Sequence, residues 1–258
     1  MIERALPLEG AVNLRDFGGY LTEDGNRVRT GRLFRSGSLA RLSETAQQAF
    51  AGFGIGLICD LRRDNEKAAA PTPFPSDAPR RLELPIEPGS ARRLYREMGR
   101  TALTLEQSID FMVNINRELA RHHADDYARM FEGLLELGDG GFLVHCSAGK
   151  DRTGFACALI LHALGVPQAT VLEDYLLTNE ALDIEGYILP VLTAKYGVPD
   201  DMPAEAMLAI AGVRPEYLQA AFDTIEAEFE GVEHYLERAV GLDRAARETL
   251  RRRYVESV

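Results

Sequence analysis

The chain has 258 residues, 46% hydrophobic and 27% charged, the balance of a globular protein with enough apolar material for a sizeable core. Lys and Arg total 29 against 40 Asp and Glu, giving a formal net charge of −11. That argues against general nucleic-acid binding and requires any anionic ligand to be drawn by a local positive site.

No run approaches the eighteen or so apolar residues of a membrane span, and the opening MIERALPLEG lacks the apolar core of a secretory signal. Three cysteines, Cys59, Cys146 and Cys157, are too few for a disulfide framework and suit a reducing cytosol. A cytoplasmic protein is therefore expected, and export by a route that needs no signal is compatible with the sequence.

In chain order, Asp24-Gly25 between Tyr20-Leu21 and Val28 reads as a hairpin turn. Arg32 to Arg35 is a short strand. Ser43 caps a helix through Phe50, closed by Gly52 and Gly54. Ile55 to Leu61 is almost wholly apolar, as expected of a strand covered on both faces. A Pro-rich loop at 71–79 leads to a further strand, Leu82 to Ile86. Leu105 to Leu137 is helical, opened by a Thr104-x-x-Gln107 capping box and stopped by Gly138 to Gly141. Phe142 to His145 is a buried strand, and Thr153 to Leu164 an apolar helix ended by Gly165 and Pro167. The remainder is mostly helical. Strands and helices alternate over roughly 30–165, which predicts an α/β fold: a mainly parallel central sheet flanked by helices. The whole chain, 1–258, reads as one domain.

The chemistry lies in VHCSAGKDRTG, residues 144–154. A strand delivers Cys146 to its end, and Arg152 opens a helix six positions later. The small residues Ser147, Ala148 and Gly149 let the backbone curl so that successive N–H groups point inward. Such a nest, reinforced by the helix dipole, binds a tetrahedral oxyanion, and Arg152 can grip two of its oxygens. The same field favours a thiolate. An anionic sulfur in a phosphate cradle is a nucleophile aimed at phosphorus, which would pass through a cysteinyl-phosphate with no metal and no cofactor. The predicted phosphate-binding residues are Ser147, Ala148, Gly149, Lys150, Asp151 and Arg152.

The C-x5-R loop between His145 and Thr153-Gly154 resembles the cysteine-dependent protein tyrosine phosphatase superfamily. HCSAGKDRTG is similar in particular to bacterial tyrosine phosphatases with Gly-Lys-Asp-Arg loops, a group that includes secreted mycobacterial and listerial phosphatases. Further similarity lies in Asn13-Leu14-Arg15-Asp16-Phe17-Gly18-Gly19, Arg35-Ser36-Gly37, Asp60-Leu61-Arg62 with Glu66, Asp174-Tyr175-Leu176-Leu177 and Tyr235-Leu236. The resemblance implies a tyrosine-phosphatase-type fold with a helical lid or C-terminal region. It also implies a phosphate monoester hydrolase acting on phosphotyrosine in proteins, with phosphoinositide, inositol-phosphate or dual-specificity activity as the alternative. A rhodanese-type sulfur carrier also cradles a cysteine anion but leaves Gly149 to Gly154 unexplained. A phospho-binding pseudo-phosphatase would not need Cys146, Arg152 and a hydroxyl together.

By the resemblance, Thr153 hydrogen-bonds the departing thiolate and His145 orients the loop. The general acid is open between Asp151, within the loop, and Asp60, at the end of a strand expected to neighbour that of Cys146; Asp60 could equally pair with Arg62 or Arg63. Lys150 adds charge at the rim, for a second phosphate or to balance Asp151. Asn13, Arg15 and Asp16 are expected to brace the loop, with Arg15 and Arg35 possible at its mouth. Arg92, Arg93, Arg96 and Arg100 form a basic stretch, a solvated helix face or part of a lid. His122-His123 with Asp125-Asp126 matches no usual metal spacing. Cys59 is expected in the core, with disulfide capture of oxidised Cys146 as the alternative; Cys157 is expected in the core. Partners are phosphorylated proteins or small phosphorylated molecules, including lipid headgroups, with no nucleic acid and no integral membrane association.

Overall fold

The computed structural model describes residues 4–74 and 79–258, so positions 75–78 of the Pro-rich loop lie outside the described residues. In chain order the elements begin with β1 (Arg15–Asp16), β2 (Arg27–Val28), β3 (Leu33–Ser36), α1 (Glu44–Ala51) and β4 (Ile55–Asp60). Next come α2 (Asp64–Ala69), β5 (Arg80–Glu83), α3 (Gly89–Met98), α4 (Leu105–His122), α5 (Ala124–Glu136), β6 (Gly141–His145) and α6 (Asp151–Ala163). The last part comprises α7 (Gln168–Leu176), α8 (Thr178–Ala181), a π turn (Ile184–Ile188), α9 (Leu189–Tyr196), α10 (Ala204–Ala211) and α11 (Pro215–Phe229). After these come α12 (Val232–His234), a second π turn (Tyr235–Ala239), α13 (Arg244–Tyr254) and β7 (Val255–Glu256).

The main sheet runs β1-β3-β6-β4-β5. β3, β6, β4 and β5 are parallel neighbours, and β1 joins antiparallel at the edge. This is the mainly parallel α/β sheet predicted. The strand of Cys146 lies between β3 and β4, with Asp60 in register with His145. Period-two alternation feeds two cores. Leu33, Leu57, Cys59, Phe142 and Val144 face the larger one, with α4, α5, α6 and α11. Phe34, Ile58 and Leu143 face a smaller one under α1. Every residue from Thr153 to Leu161 is buried, so α6 has no polar face there. Each large apolar side chain sunk in this way contributes roughly 1.5–3 kcal/mol, which fixes the helix against the sheet and its first turn against the loop.

Local signals hold. Ser43 Oγ accepts from Ala46 N at 3.2 Å, and Thr104 and Gln107 form the reciprocal capping box. Gly25 adopts φ +82 in the hairpin turn, next to the bridge Leu21↔Arg27. Two boundaries differ. The strand expected at 82–86 occupies Arg80–Glu83, because Pro85 has no N–H for the ladder. The helix expected over 105–137 breaks at His123 (φ −123, ψ 19), whose Nδ1 lies 2.9 Å from Asp126 Oδ2. α2 was not foreseen from the sequence: six residues are too few to carry a periodic signal. Arg92 pairs with Glu87 and Arg96 with Glu97 on the outer face of α3, as a solvated helix face does.

Candidate active site

The loop from Cys146 to Arg152 has its carbonyls held from outside. Ser147 O accepts from Ser38 N at 2.8 Å, and Gly149 O accepts from Asn13 Nδ2 at 2.8 Å and Arg35 Nη2 at 3.0 Å. Lys150 O accepts from Gly154 N at 2.7 Å. The amides of 147 to 152, by contrast, have no acceptor among the described residues. Carbonyls engaged and consecutive amides left without acceptors is what an anion nest requires. Gly149 makes the curl possible at φ +69; a Cβ there would stand 2.6 Å from Gly37 N and Ser36 C. Gly37 is needed for the converse reason, since its own Cβ would press to 3.0 Å on Ala148 C and Ser147 O. The Arg35-Ser36-Gly37 signature is thus the shelf on which the loop lies.

Arg152 is held by Glu66, a residue to which the sequence reading assigned no role. Nη1 donates to Glu66 Oε2 at 2.8 Å and to Leu61 O at 3.1 Å, and Nη2 donates to Glu66 Oε1 at 3.2 Å. A guanidinium has five donors. These bonds use both hydrogens of Nη1 and one of Nη2. The Nε–H and the second Nη2–H remain, and these lie together on one edge, the fork that fits two oxygens of a phosphate. Glu66 also accepts from Ser147 Oγ at 2.8 Å and from Arg63 N at 2.9 Å. Burial works against charge on Glu66, but Arg152 and Arg63 outweigh it and hold its carboxyl far below the usual glutamate range. Conversely, Arg152 keeps its proton against desolvation because Cys146 and Glu66 face it.

Behind the loop sits a buried ionic cluster. Asp174 Oδ2 accepts from Arg35 Nη1 at 2.5 Å, its Oδ1 accepts from Tyr20 Oη at 3.1 Å, and Arg15 Nε lies 3.7 Å from Oδ1. Arg15 also bonds the Asn13 amide oxygen. Burial opposes charge on Asp174, yet Arg35 and Arg15 hold its carboxyl below the usual range. Two guanidiniums on one carboxylate leave one net positive charge under the nest. Asn13 and Arg15 brace the loop as expected, whereas neither Arg15 nor Arg35 lines the cavity at its mouth. Asp16 holds the neighbouring turns, accepting from Gly18 N and Gly31 N.

Of the two candidate acids, Asp151 lines the cavity that contains Cys146 and Asp60 does not. Asp60 is clasped by Arg62, Nε to Oδ1 at 2.9 Å and Nη2 to Oδ2 at 2.7 Å, and His145 Nε2 lies 3.5 Å from it. Burial would raise the Asp60 pKa, but His145 and Arg62 prevail and lower it. Burial lowers the pKa of His145, whose Nδ1 meets Cys146 O at 3.3 Å. Lys150 turns inward and donates to Ile210 O and, at 3.0 Å, to Gly212 O, at the carbonyl end of α10; its Nζ is 3.5 Å from Asp151 Oδ2. Thr153 Oγ1 is buried without a partner among the described residues. Cys59 and Cys157 are both fully buried core residues.

The cavity above Cys146 measures about 260 Å³. Ile86, Met112 and Ile115 give it an apolar wall, and residues of the first π turn and α9 also line it. Tyr95 of α3 and Tyr196 of α9 stack at 4.2 Å and 2° on that side.

A model of a family described as the tyrosine phosphatase family matches residues 6–256. A Cupriavidus necator protein with a provisional tyrosine-protein phosphatase name is 33% identical over 92% of this chain and 85% of its own. The Mycobacterium tuberculosis protein named triple specificity protein phosphatase PtpB is 30% identical over 95% of this chain and 96% of its own. A tyrosine-protein phosphatase of Nostoc commune is 28% identical over 58% of this chain and 49% of its own.

Proposed function

The chain belongs to the tyrosine phosphatase family, and from that premise we propose how it hydrolyses phosphotyrosine: through a phosphate carried on Cys146. It is a phosphoric monoester hydrolase of the protein-tyrosine-phosphatase class, acting on phosphorylated substrates. One observation supports the residue assignment: six consecutive amides directly after Cys146, 147 to 152, have no acceptor among the described residues, and the edge of Arg152 that Glu66 leaves free completes the donor set.

In the first step the Cys146 sulfur attacks phosphorus, the amides and Arg152 take up the charge on the equatorial oxygens, and the P–O bond to the tyrosyl oxygen breaks. Asp151 delivers the proton that oxygen needs. In the second step Asp151 takes a proton from water, whose oxygen attacks the cysteinyl-phosphate, and the thiolate leaves toward the Thr153 hydroxyl, a buried donor with nothing else to bind. Asp60 serves the frame, because a carboxylate clasped by Arg62 and kept ionised has no proton to give.

The apolar wall of the cavity favours an aryl phosphate, whose ring can lie against Ile86 and Met112 while the phosphate reaches the nest. Lys150, engaged with Ile210 and Gly212 carbonyls, supports that reading over one that needs a free cation for a second phosphate. We take 1–258 as one phosphatase domain working in the cytoplasm on phosphotyrosine proteins, with no nucleic-acid partner. No helix among the described residues is long and apolar enough to cross a membrane.

The test compares Asp151→Asn and Asp60→Asn on aryl phosphates of graded leaving-group pKa. Asp151→Asn should lose most on the poorest leaving groups. Equal losses across the series would remove Asp151 from the role.

A further inference from the structure

Tyr175 on α7 is a phenol that packing alone does not explain. It is 1% exposed and its hydroxyl has no hydrogen-bond partner among the described residues; Asp151 Oδ1 is likewise buried and unpartnered there. Buried polar atoms are nearly always paired, so two orphans facing each other are informative. Helix geometry brings them together. Asp151 and Gly154, three residues apart at the start of α6, share a face. The Tyr175 ring lies over Gly154 on that face: a Cβ at Gly154 would stand 2.7 Å from Tyr175 Cδ2 and Cε2. The far end of the ring, its hydroxyl, is then on the side of the Asp151 carboxyl, close enough for that charge to act on the phenol, with the hydrogen bond between the two not yet made. Gly154 is explained at the same time, as the absent side chain that admits the ring.

We propose that Tyr175 is the positioning residue for the proton donor: its hydroxyl donates to Asp151 Oδ1, fixes the carboxyl, and leaves Oδ2 to carry the proton toward the leaving oxygen. The proposal rests on the reading of Asp151 as that donor. Burial first, and Asp151 second, keep the Tyr175 phenol protonated far into alkaline pH, so it remains a donor at any working pH. The other groups facing Asp151 are Lys150 and Arg152 from its own segment, Tyr95 from α3 and Tyr217 from α11. Lys150 is engaged with α10, Arg152 with Glu66, and Tyr217 donates to Ala209 O at 2.9 Å. Tyr95 lines the cavity in its stack with Tyr196.

The sign follows from the direction of donation. A donor on a carboxylate favours the ionised form, so removing it moves the basic limb of the kcat–pH profile upward. For Tyr175→Phe the expected shift is about half to one pH unit. Turnover of poor leaving groups should fall roughly five- to tenfold, and that of p-nitrophenyl phosphate less than about twofold. Tyr217→Phe should leave the limb unmoved. Should Tyr175→Phe not fold, 3-fluorotyrosine placed at 175, a stronger donor, should move the limb downward. Asp151→Asn should abolish the limb altogether. If Asp151→Asn loses the limb but Tyr175→Phe, or the fluorotyrosine protein, keeps the wild-type profile, the role of Tyr175 is overturned while that of Asp151 stands. If Asp151→Asn keeps the limb, the proton donor lies elsewhere and the proposal falls with it.

Discussion

Glu66→Gln preserves size and shape while removing charge, and it isolates what Glu66 does for Arg152. Glu66 Oε1 accepts from Ser147 Oγ, Arg152 Nη2 and Arg63 Nη2; Oε2 accepts from Arg152 Nη1 and Arg63 N. A glutamine offers one acceptor oxygen, so whichever way its amide turns, Arg152 loses a bond and meets an N–H instead. A hydrogen bond to a charged group is worth about 1.5–3 kcal/mol, or roughly 10- to 100-fold in an equilibrium or rate. Leu61 O still holds Nη1 at 3.1 Å, which points to the lower end of that range. We expect kcat/KM for a phosphotyrosine peptide to fall about tenfold. Inhibition by vanadate, a tetrahedral and then trigonal-bipyramidal oxyanion, should weaken in step, because both need the free edge of Arg152. Thermal melting recorded alongside separates misplacement from unfolding. A folded Glu66→Gln protein with kcat/KM and vanadate inhibition within about twofold of wild type would refute the argument that Glu66 aims the guanidinium.

Three further outcomes follow from the same geometry. Asp60→Asn should cost about 1.5–3 kcal/mol by weakening the buried pair with Arg62, seen as a lowered Tm, without changing the leaving-group dependence of turnover. Gly149→Ala should lose both stability and phosphate affinity by calorimetry, because L side chains resist φ +69 and the new Cβ collides with the Ser36–Gly37 backbone. Asp60, Glu66 and Asp174 all have folded pKa values below their ordinary ones. Their stabilisation is therefore complete above about pH 4, the unfolded carboxylate range, and is lost as pH falls through the lower folded values. Acid unfolding should set in only well below pH 4, and Asp174→Asn should flatten that acid limb of Tm against pH.

What could be read from the chain was mostly what is local. The apolar run at Ile55 to Leu61 and the capping box at Thr104 depend on neighbours within a few residues, and each stands in the structure. The pairing of Asp60 with Arg62 was visible for the same reason, at a separation of two. Glu66 was not assigned, because its partners Ser147 and Arg152 lie 81 and 86 positions away. The only signal was an acidic residue six places after Asp60 in a recognised signature. The sequence offers Lys150 two roles, a cation for a second phosphate or a balance for Asp151, and its Nζ lies 3.5 Å from Asp151 Oδ2; its carbonyl acceptors come from the end of α10, 60 and 62 residues on, and no periodicity announces them. The boundary errors at 82–86 and at His123 arose where one residue, a proline without an N–H or a histidine bonded to Asp126, interrupts an otherwise regular pattern.

Rapid acid quench of wild-type enzyme during turnover of an aryl phosphate, followed by peptide mass mapping, bears most directly on the chemistry. A phosphoryl adduct on the peptide bearing Cys146, absent in Cys146→Ser along with turnover, is the predicted result. Undiminished turnover by Cys146→Ser, or phosphate trapped on any other side chain, would contradict the account at its root.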